Sequence, residues 1–527
     1  MTTVSQPNVT INILSAREPV KNNPQKILII GRKAETAAAT GGGLYRNVNT
    51  AKDAASLFGA ASELATMIDV ARSVNSITPI DVLCFDQDAS GSVASTNTIT
   101  VSSASGAEAF SEAGSFSIII GSRYKSEDVG FVFNYNAGAT PEEIASQIVS
   151  QITADKPDDF PVALSSTDEV VTTTSVNVGS DSASIPIIVH GKSDADLVIT
   201  IGTPTSAEES GLPAGWFDPI ANDRYQTIIA SSVATYQDLT AFLEPRFNIK
   251  NRLLDGVAIR AKADTSANFI NTISALNSRC LAVFADKMVS RSDYSGGTYG
   301  EINYIIAAQI GAIRALRLTE GADISRYVVA SAALDATGGP AIASLPYFNT
   351  PLPLLLPTKD LSSGFSDIEV SNLTNAGVSI FGNNIANNAV ILSATMTTYK
   401  TDAAGNKDDS FKYLNYVDTS CAAREYMFNN ARRDFDQSRL TSSGGLVRGR
   451  TINNDESVGG DFCGYYKELS LPEYTLTQAS AQAQAVFKTN LITSVDMETG
   501  MVTVSGKLPI VTQLRSIITS FNLAFNI

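Results

Sequence analysis

The segment GKLPIVTQLRSIITSFNLAFNI (residues 506–527) poses the question on which the reading of the chain turns. In its last residues Phe521, Leu523, Phe525 and Ile527 fall on one face of an extended backbone, and Asn522, Ala524 and Asn526 fall on the other. Period two with large apolar side chains is a strand signal. This strand runs to the last residue, a place where most domains fray. It therefore either closes a sheet in its own subunit or adds to a sheet in another. At the opposite end, residues 1–25 are polar apart from Val9, Ile11 and Ile13, which alternate with Thr10 and Asn12. That patch reads as a short strand or an extended arm.

Between the two ends the pattern is mixed. KILIIG (26–31), a Gly-rich loop TGGGLYRN (40–47), a helical stretch and PIDVLCF (79–85) read as a βαβ-like unit, the first part of an α/β domain over 26–89. Thr50 and Asp53 suit a helix N-terminus, and Leu64, Met67, Ile68 and Ala71 share one helical face. Residues 90–210 are rich in Ser, Thr, Ala, Gly and Asp, with short strands such as SFSIIIG and DLVITIG. One helix interrupts them, with Thr140 as N-cap, Pro141 at N1 and Glu143 at N3. This is a β-rich inserted outer domain. Over 211–360, QTIIA, GVAIRA and CLAVFA look like buried strands, alternating with helices near 264–277 and 300–318. Such continuous apolar strands predict a parallel sheet covered on both faces, a middle α/β domain. Residues 361–507 read as an inner α+β domain. It holds the strands NAGVSIF and AVILSAT, a long helix over 420–440 and a further helix near 477–491. In the long helix Ala423, Met427, Ala431 and Phe435 form the expected buried stripe. Residues 508–527 are the arm strand. The fold class expected is thus a multidomain α/β and α+β chain with extended terminal arms.

Composition narrows the function. A chain of 527 residues is too long for one core. A formal net charge of −15 disfavours a general nucleic-acid binder, which needs a basic face, and also disfavours anionic membrane surfaces. No apolar run approaches the ~18–20 residues that span a bilayer, and the first residues lack the pattern of a signal peptide. Cys84, Cys280, Cys421 and Cys463 are scattered, which suggests buried free thiols in a reducing cytoplasm. Nucleophilic catalysis of the common kinds needs a histidine base. The single histidine, His190, stands at a strand end, and no GxSxG elbow accompanies it. The TGGGLYRN loop lacks the Lys-Ser/Thr of a phosphate loop. Asp402, Asp408 and Asp409 lack EF-hand spacing, and Gly405 with Asn406 supplies a turn instead. No catalytic residue, cofactor or metal is expected. Four arginines on one helix, Arg424, Arg432, Arg433 and Arg439, stand out against so acidic a chain. They suit either a solvated helix with internal pairs such as Arg432 with Asp436, or a basic stripe that docks an acidic partner.

Three stretches together resemble the contractile phage tail sheath proteins of the phage Mu-like kind. They are LFGAASELATM (57–67), NLTNAGVSIF (372–381) with REYMFNNARRDFDQSRL (424–440), and the closing LPIVTQLRSIITSFNLAFNI (508–527). The Ser/Thr-rich insertion also sits where such proteins carry one. One departure follows the arginine helix: relatives often have an Asp-Gly turn there, and this chain has Thr441-Ser-Ser-Gly-Gly. The resemblance implies a non-enzymatic subunit that forms stacked six-fold rings, helically arranged around a rigid tube. It implies terminal arms that add strands to neighbouring subunits, through Val9, Ile11, Ile13, Phe521, Leu523, Phe525 and Ile527. It implies that Arg424, Arg432, Arg433 and Arg439 face the tube. The partners implied are copies of itself, the tail tube protein, and the baseplate and tail terminator proteins, with neither nucleic acid nor membrane insertion. Contraction would drive the tube through the host envelope. The location implied is the virion tail, with assembly in the host cytoplasm. The alternative is an acidic surface-layer or adhesin-like subunit, against which the missing secretion signal counts.

Overall fold

The computed structural model describes residues 25–511 apart from 88–92, 122–129, 206–211, 248–252, 288, 291–297, 300–301, 319–346, 348–349, 353–363, 384–388, 392–393, 436–437, 444–451 and 472–475. The terminal-arm residues named above, from Val9 to Ile13 and from Phe521 to Ile527, lie outside the described residues. The chain divides into two compact units. Among the described residues one holds 25–421 with 510–511, and the other holds 422–509.

The first unit is built on an eight-stranded sheet. Its order is Ala389–Ile391, Val378–Asn383, Leu281–Lys287, Val257–Asp264, Thr227–Ala230, Ile27–Arg32, Ile80–Phe85 and Leu44–Tyr45. The six inner strands pair in parallel, and only the two edge strands run antiparallel to their neighbours. Alternate side chains feed two separate cores. Ile27, Ile29, Val82 and Ile259 pack with the helices Glu63–Val74 and Asn303–Leu318 on one face. Leu28, Ile30, Leu83 and Val283 pack with Tyr236–Phe247 and Ser266–Ile273 on the other. Burial on both faces is why these strands read as unbroken apolar runs.

Segments that read separately in the sequence, 26–89, 211–360 and the start of 361–507, share this one sheet. Ile27–Arg32 is hydrogen-bonded on one side to Ile80–Phe85 and on the other to Thr227–Ala230. A parallel neighbour can be any distance away in sequence, because the crossover between them may carry an insertion. The insertion has its own core. Four antiparallel strands (Leu197–Ile201, Ala94–Ser103, Val170–Val178, Val162–Thr167) and three more (Phe131–Tyr135, Gly114–Ile120, Ile187–His190) enclose Ile99, Phe116, Ile118 and Phe133. The helix Pro141–Asp155 seals it with Ile144, Ile148 and Ile152, and begins in the expected capping box: Glu143 N donates to Thr140 Oγ1 at 3.2 Å and Thr140 N to Glu143 Oε2 at 3.0 Å.

A long helix, Leu414–Phe435, starts in this unit. Its Asp418 is buried and its carboxylate is fully engaged. Arg314 Nη2 lies 2.6 Å and Arg314 Nε 3.2 Å from Oδ1, and Tyr347 donates its hydroxyl to Oδ2 at 2.9 Å. Arg314 also donates to Thr227 Oγ1 at 2.8 Å and to the Gln226 carbonyl, so the pair pins the helix start to the sheet. Removing one partner of such a pair strands the other charge out of water. Asp418→Ala is expected to lower the stability of the protein by about 3–5 kcal/mol in denaturant titration. A loss under about 1 kcal/mol would contradict this role.

Candidate assembly interface

The unit of residues 422–509 carries the arginines. The helix ends at Phe435 rather than near Leu440. Arg439 stands beyond it, on a two-residue strand, Arg439–Leu440, paired in parallel with Ile452–Asn453. The strand is held there because Asn453 Nδ2 donates to Ser438 Oγ at 2.9 Å and Thr441 N donates to the Asn453 carbonyl at 2.9 Å. The arginines do not form one stripe. At about 100° per residue, Arg424 and Arg433 point to opposite sides of the helix. Arg424 is half-buried, whereas Arg432, Arg433 and Arg439 are exposed.

Local partners temper the positive charge. Arg433 donates from Nε and Nη2 to both oxygens of Asp434, at 3.0 and 3.1 Å. The hydrogen bond to Asp434 holds the Arg433 guanidinium above its ordinary pKa. Asp434 accepts a further bond from Tyr465 at 2.7 Å. Arg432 lies over the Phe428 ring at 5.8 Å. Asp436, its expected helical partner, lies outside the described residues. The buried face is also rotated from the expected stripe: Ala423 is buried, but Met427, Ala431 and Phe435 are half-buried, and Tyr426 and Asn430 are buried in their stead. Those polar residues go inside because each is bonded, Tyr426 to Glu468 on the neighbouring helix Asp455–Leu469 and Asn430 to the Tyr426 carbonyl.

The sequence reading missed a second feature of this unit. After the helix Ala481–Asn490 comes a hairpin, Ile492–Asp496 with Met501–Ser505, paired residue for residue. Asp496 closes its turn, accepting from Glu498 N, Thr499 N and Thr499 Oγ1, and Gly500 supplies the positive φ (+66°) that the turn requires. Thr493, Val495, Val502 and Val504 form the half-buried face, while Ile492, Ser494, Met501 and Thr503 are exposed. Among the described residues this sheet has two strands, and neither outer edge is paired with a third. The alternation ITSVD…MVTVS with a Gly-ended turn was the available signal.

Tyr466 organises the base of the hairpin. Its ring stacks on Phe487 at 4.4 Å, and its hydroxyl lies 3.0 Å from the Gln478 carbonyl and 3.2 Å from that of Pro509. Gln478 N also donates to Pro509 O at 3.1 Å. The chain is thus tied down where it leaves this unit for its final segment.

Cys84 is buried, which pushes its thiol up to about 12. Among the described residues no three His, Cys, Asp or Glu side chains gather as metal ligands do, and no helix is long and apolar enough to cross a membrane.

Comparison with known proteins bears on the family. The chain is 24% identical over 467 residues to the Mu-like prophage FluMu tail sheath protein of Haemophilus influenzae, covering 84% of this chain and 82% of the relative. The chain is similar to a Mu-like tail sheath protein along most of its length. The resemblance to the Mu-like tail sheath proteins drawn from residues 57–67, 372–381, 424–440 and 508–527 is thereby borne out. No family model matches the chain. Among solved structures, the sheath tail protein DSY3957 of Desulfitobacterium hafniense is 10% identical, with a TM-score of 0.44 covering 95% of this chain and 96% of that one. The sheath tail protein Lin1278 of Listeria innocua is 9% identical, with a TM-score of 0.43 covering 93% of each.

Tyr466→Ala is expected to remove the stack and both tethers, costing about 3–5 kcal/mol. Tyr466→Phe, which keeps the stack, should cost about 1 kcal/mol. Equal losses for the two variants in thermal unfolding would show that the stack carries none of the effect.

Proposed function

We propose that the protein is the sheath subunit of a contractile phage tail. It polymerises helically around the tail tube as stacked six-fold rings, and contraction drives the tube through the host envelope. Its partners are copies of itself, the tail tube protein, and the baseplate and tail terminator proteins. Assembly takes place in the host cytoplasm before the tail joins the virion. Kinship along 84% of the chain supports the tail role. The observation that carries the mode of assembly is the hairpin Ile492–Ser505, which has two unpaired edges among the described residues.

An isolated two-stranded ribbon is marginal in water, and its open edges invite added strands. The terminal arms, 1–25 and 508–527, are the strands in this reading. Phe521, Leu523, Phe525 and Ile527 would each contribute about 1.5–3 kcal/mol if fully buried, roughly 6–12 in all. Fixing the seven residues 521–527 costs about 1–2 kcal/mol apiece, roughly 7–14 in all. The two nearly cancel, so strand hydrogen bonds at about 0.5–1.5 kcal/mol each must hold the arm. That requirement favours addition to a sheet edge, with Val9, Ile11 and Ile13 as a second added strand. Such a link is head-to-tail, so it need not close and can propagate along a helix. It also lets subunits rotate and slide as bodies without parting.

The inner domain, 361–507, faces the tube in this reading, and the insertion at 90–210 lies outside. Arg424, Arg432, Arg433 and Arg439 are the tube-facing candidates, and the exposure of Arg432, Arg433 and Arg439 suits them to contact. A polar, salt-sensitive contact is what a sheath that must release its tube requires.

Two experiments test the proposal. Removing residues 518–527 is expected to leave soluble, folded subunits that no longer polymerise; sheaths of normal length from the truncated protein would refute strand exchange. The double variant Arg432→Glu, Arg439→Glu is expected to keep its melting temperature, since both residues are exposed, and to lose co-assembly with the tube protein. Unchanged co-assembly at low salt would contradict the tube-facing assignment.

A further inference from the structure

Beyond the C-terminal ends of Ile27–Arg32 and Thr227–Ala230 the connections of the large sheet part. The strand Ile80–Phe85 lies on one side of Ile27–Arg32, and Thr227–Ala230 lies on the other. In open parallel sheets such a divergence leaves a crevice at the strand ends, and ligands bind there. Here the chain fills it. The short turn Ser180–Ser184, at the root of the inserted domain, carries Asp181 into the crevice. One oxygen of its carboxylate accepts from Ser232 N at 2.6 Å, in the loop that follows Thr227–Ala230. The other accepts from Asn303 Nδ2 at 2.9 Å, at the start of the helix Asn303–Leu318.

The neighbouring groups complete the seat. Arg32, only 1% exposed, donates to the Val178 carbonyl of the insertion at 3.3 Å and to Ser232 Oγ at 3.4 Å. Its counter-charge is the buried Glu63, 3.4 Å away, which also accepts from Ser231 Oγ at 2.7 Å. Gly179 precedes the turn at φ +89°, and a Cβ there would stand 2.7 Å from Arg32 Nη1 and 2.9 Å from Ser232 Oγ. The fit leaves no room for a side chain.

We propose that Asp181 is an intramolecular anion seated in the ligand crevice of the parallel sheet, and that this seat joins the inserted domain to the sheet as one body. A carboxylate that accepts two N–H bonds out of water makes strong, charge-assisted contacts. The crevice that a doubly wound enzyme keeps for its ligand is here a structural joint. The insertion then moves with the sheet rather than swinging on its connections. The inference does not depend on the tail reading, since it concerns contacts within one subunit.

Hydrogen exchange on the full-length protein tests it. Asp181→Ala is expected to raise exchange at residues 178–184 and 231–234 by about tenfold or more, the effect of losing a hydrogen bond to a charged group. Sodium formate, a small carboxylate that fits the vacated seat, is expected to restore protection where sodium chloride at equal ionic strength does not. Should Asp181→Ala fail to fold, Asp181→Asn serves, because its amide can accept from only one of the two donors. Unchanged exchange in the variant that folds would overturn the proposal. So would lost protection in Asp181→Ala that formate restores no better than chloride.

Discussion

A β-ribbon of two strands leaves a row of backbone N–H and C=O groups along each outer edge. Those groups are satisfied by water in a lone subunit and by added strands in an assembly. The hairpin Ile492–Ser505 presents such edges among the described residues. The proposed assembly depends on this constraint. Apolar burial of a short arm roughly cancels against the entropy of ordering it, so the proposed link between subunits has to draw on backbone hydrogen bonds. In the proposed assembly, backbone bonds to a neighbour's edge tie subunits together without a large rigid interface, which suits the shape change proposed for it.

Buried polar contacts brace each unit among the described residues. In the first unit the buried pair of Arg314 and Asp418 fastens the start of the long helix to the sheet. The cluster around Arg32, Glu63 and Asp181 does the same for the insertion. In the second unit Tyr466 anchors the chain at Pro509. A proposed division follows: each unit resists deformation through buried polar contacts, and motion between subunits is left to the arms. Buried ionic groups specify geometry at some cost in stability, an exchange that favours a subunit whose shape sets a lattice.

How far the sequence foretold this depends on the kind of contact. Strands such as Ile27–Arg32 and Leu281–Lys287 were legible because burial on both faces makes them continuously apolar. The Thr140 capping box was legible because it is local. The pairing of Ile27–Arg32 with Thr227–Ala230 was not, since nothing in a strand names a parallel partner across an insertion. The long helix was placed several residues late because its first turns bury Asn415, Asp418 and Thr419, polar residues that hydropathy assigns to the surface. The same effect rotated its buried face onto Tyr426 and Asn430. Arg439 was read as helical because its neighbours have good helix propensity, whereas the bonds of Asn453 and Thr441 hold it in a strand. The resemblance was legible from three stretches, whereas the open hairpin edge was not, because hydropathy reports side chains and an unpaired edge is a property of the backbone.

The most direct test is amide hydrogen exchange across the hairpin, compared between the dispersed subunit and the assembled polymer. Exchange reports local opening and the pairing of individual backbone groups. If arms add to this edge, the outward-facing amides of residues 492–496 and 501–505 exchange quickly in the subunit and become protected on assembly. The turn at 497–500 should stay unprotected in both. Equal exchange of the edge amides in subunit and polymer would contradict strand addition at this hairpin.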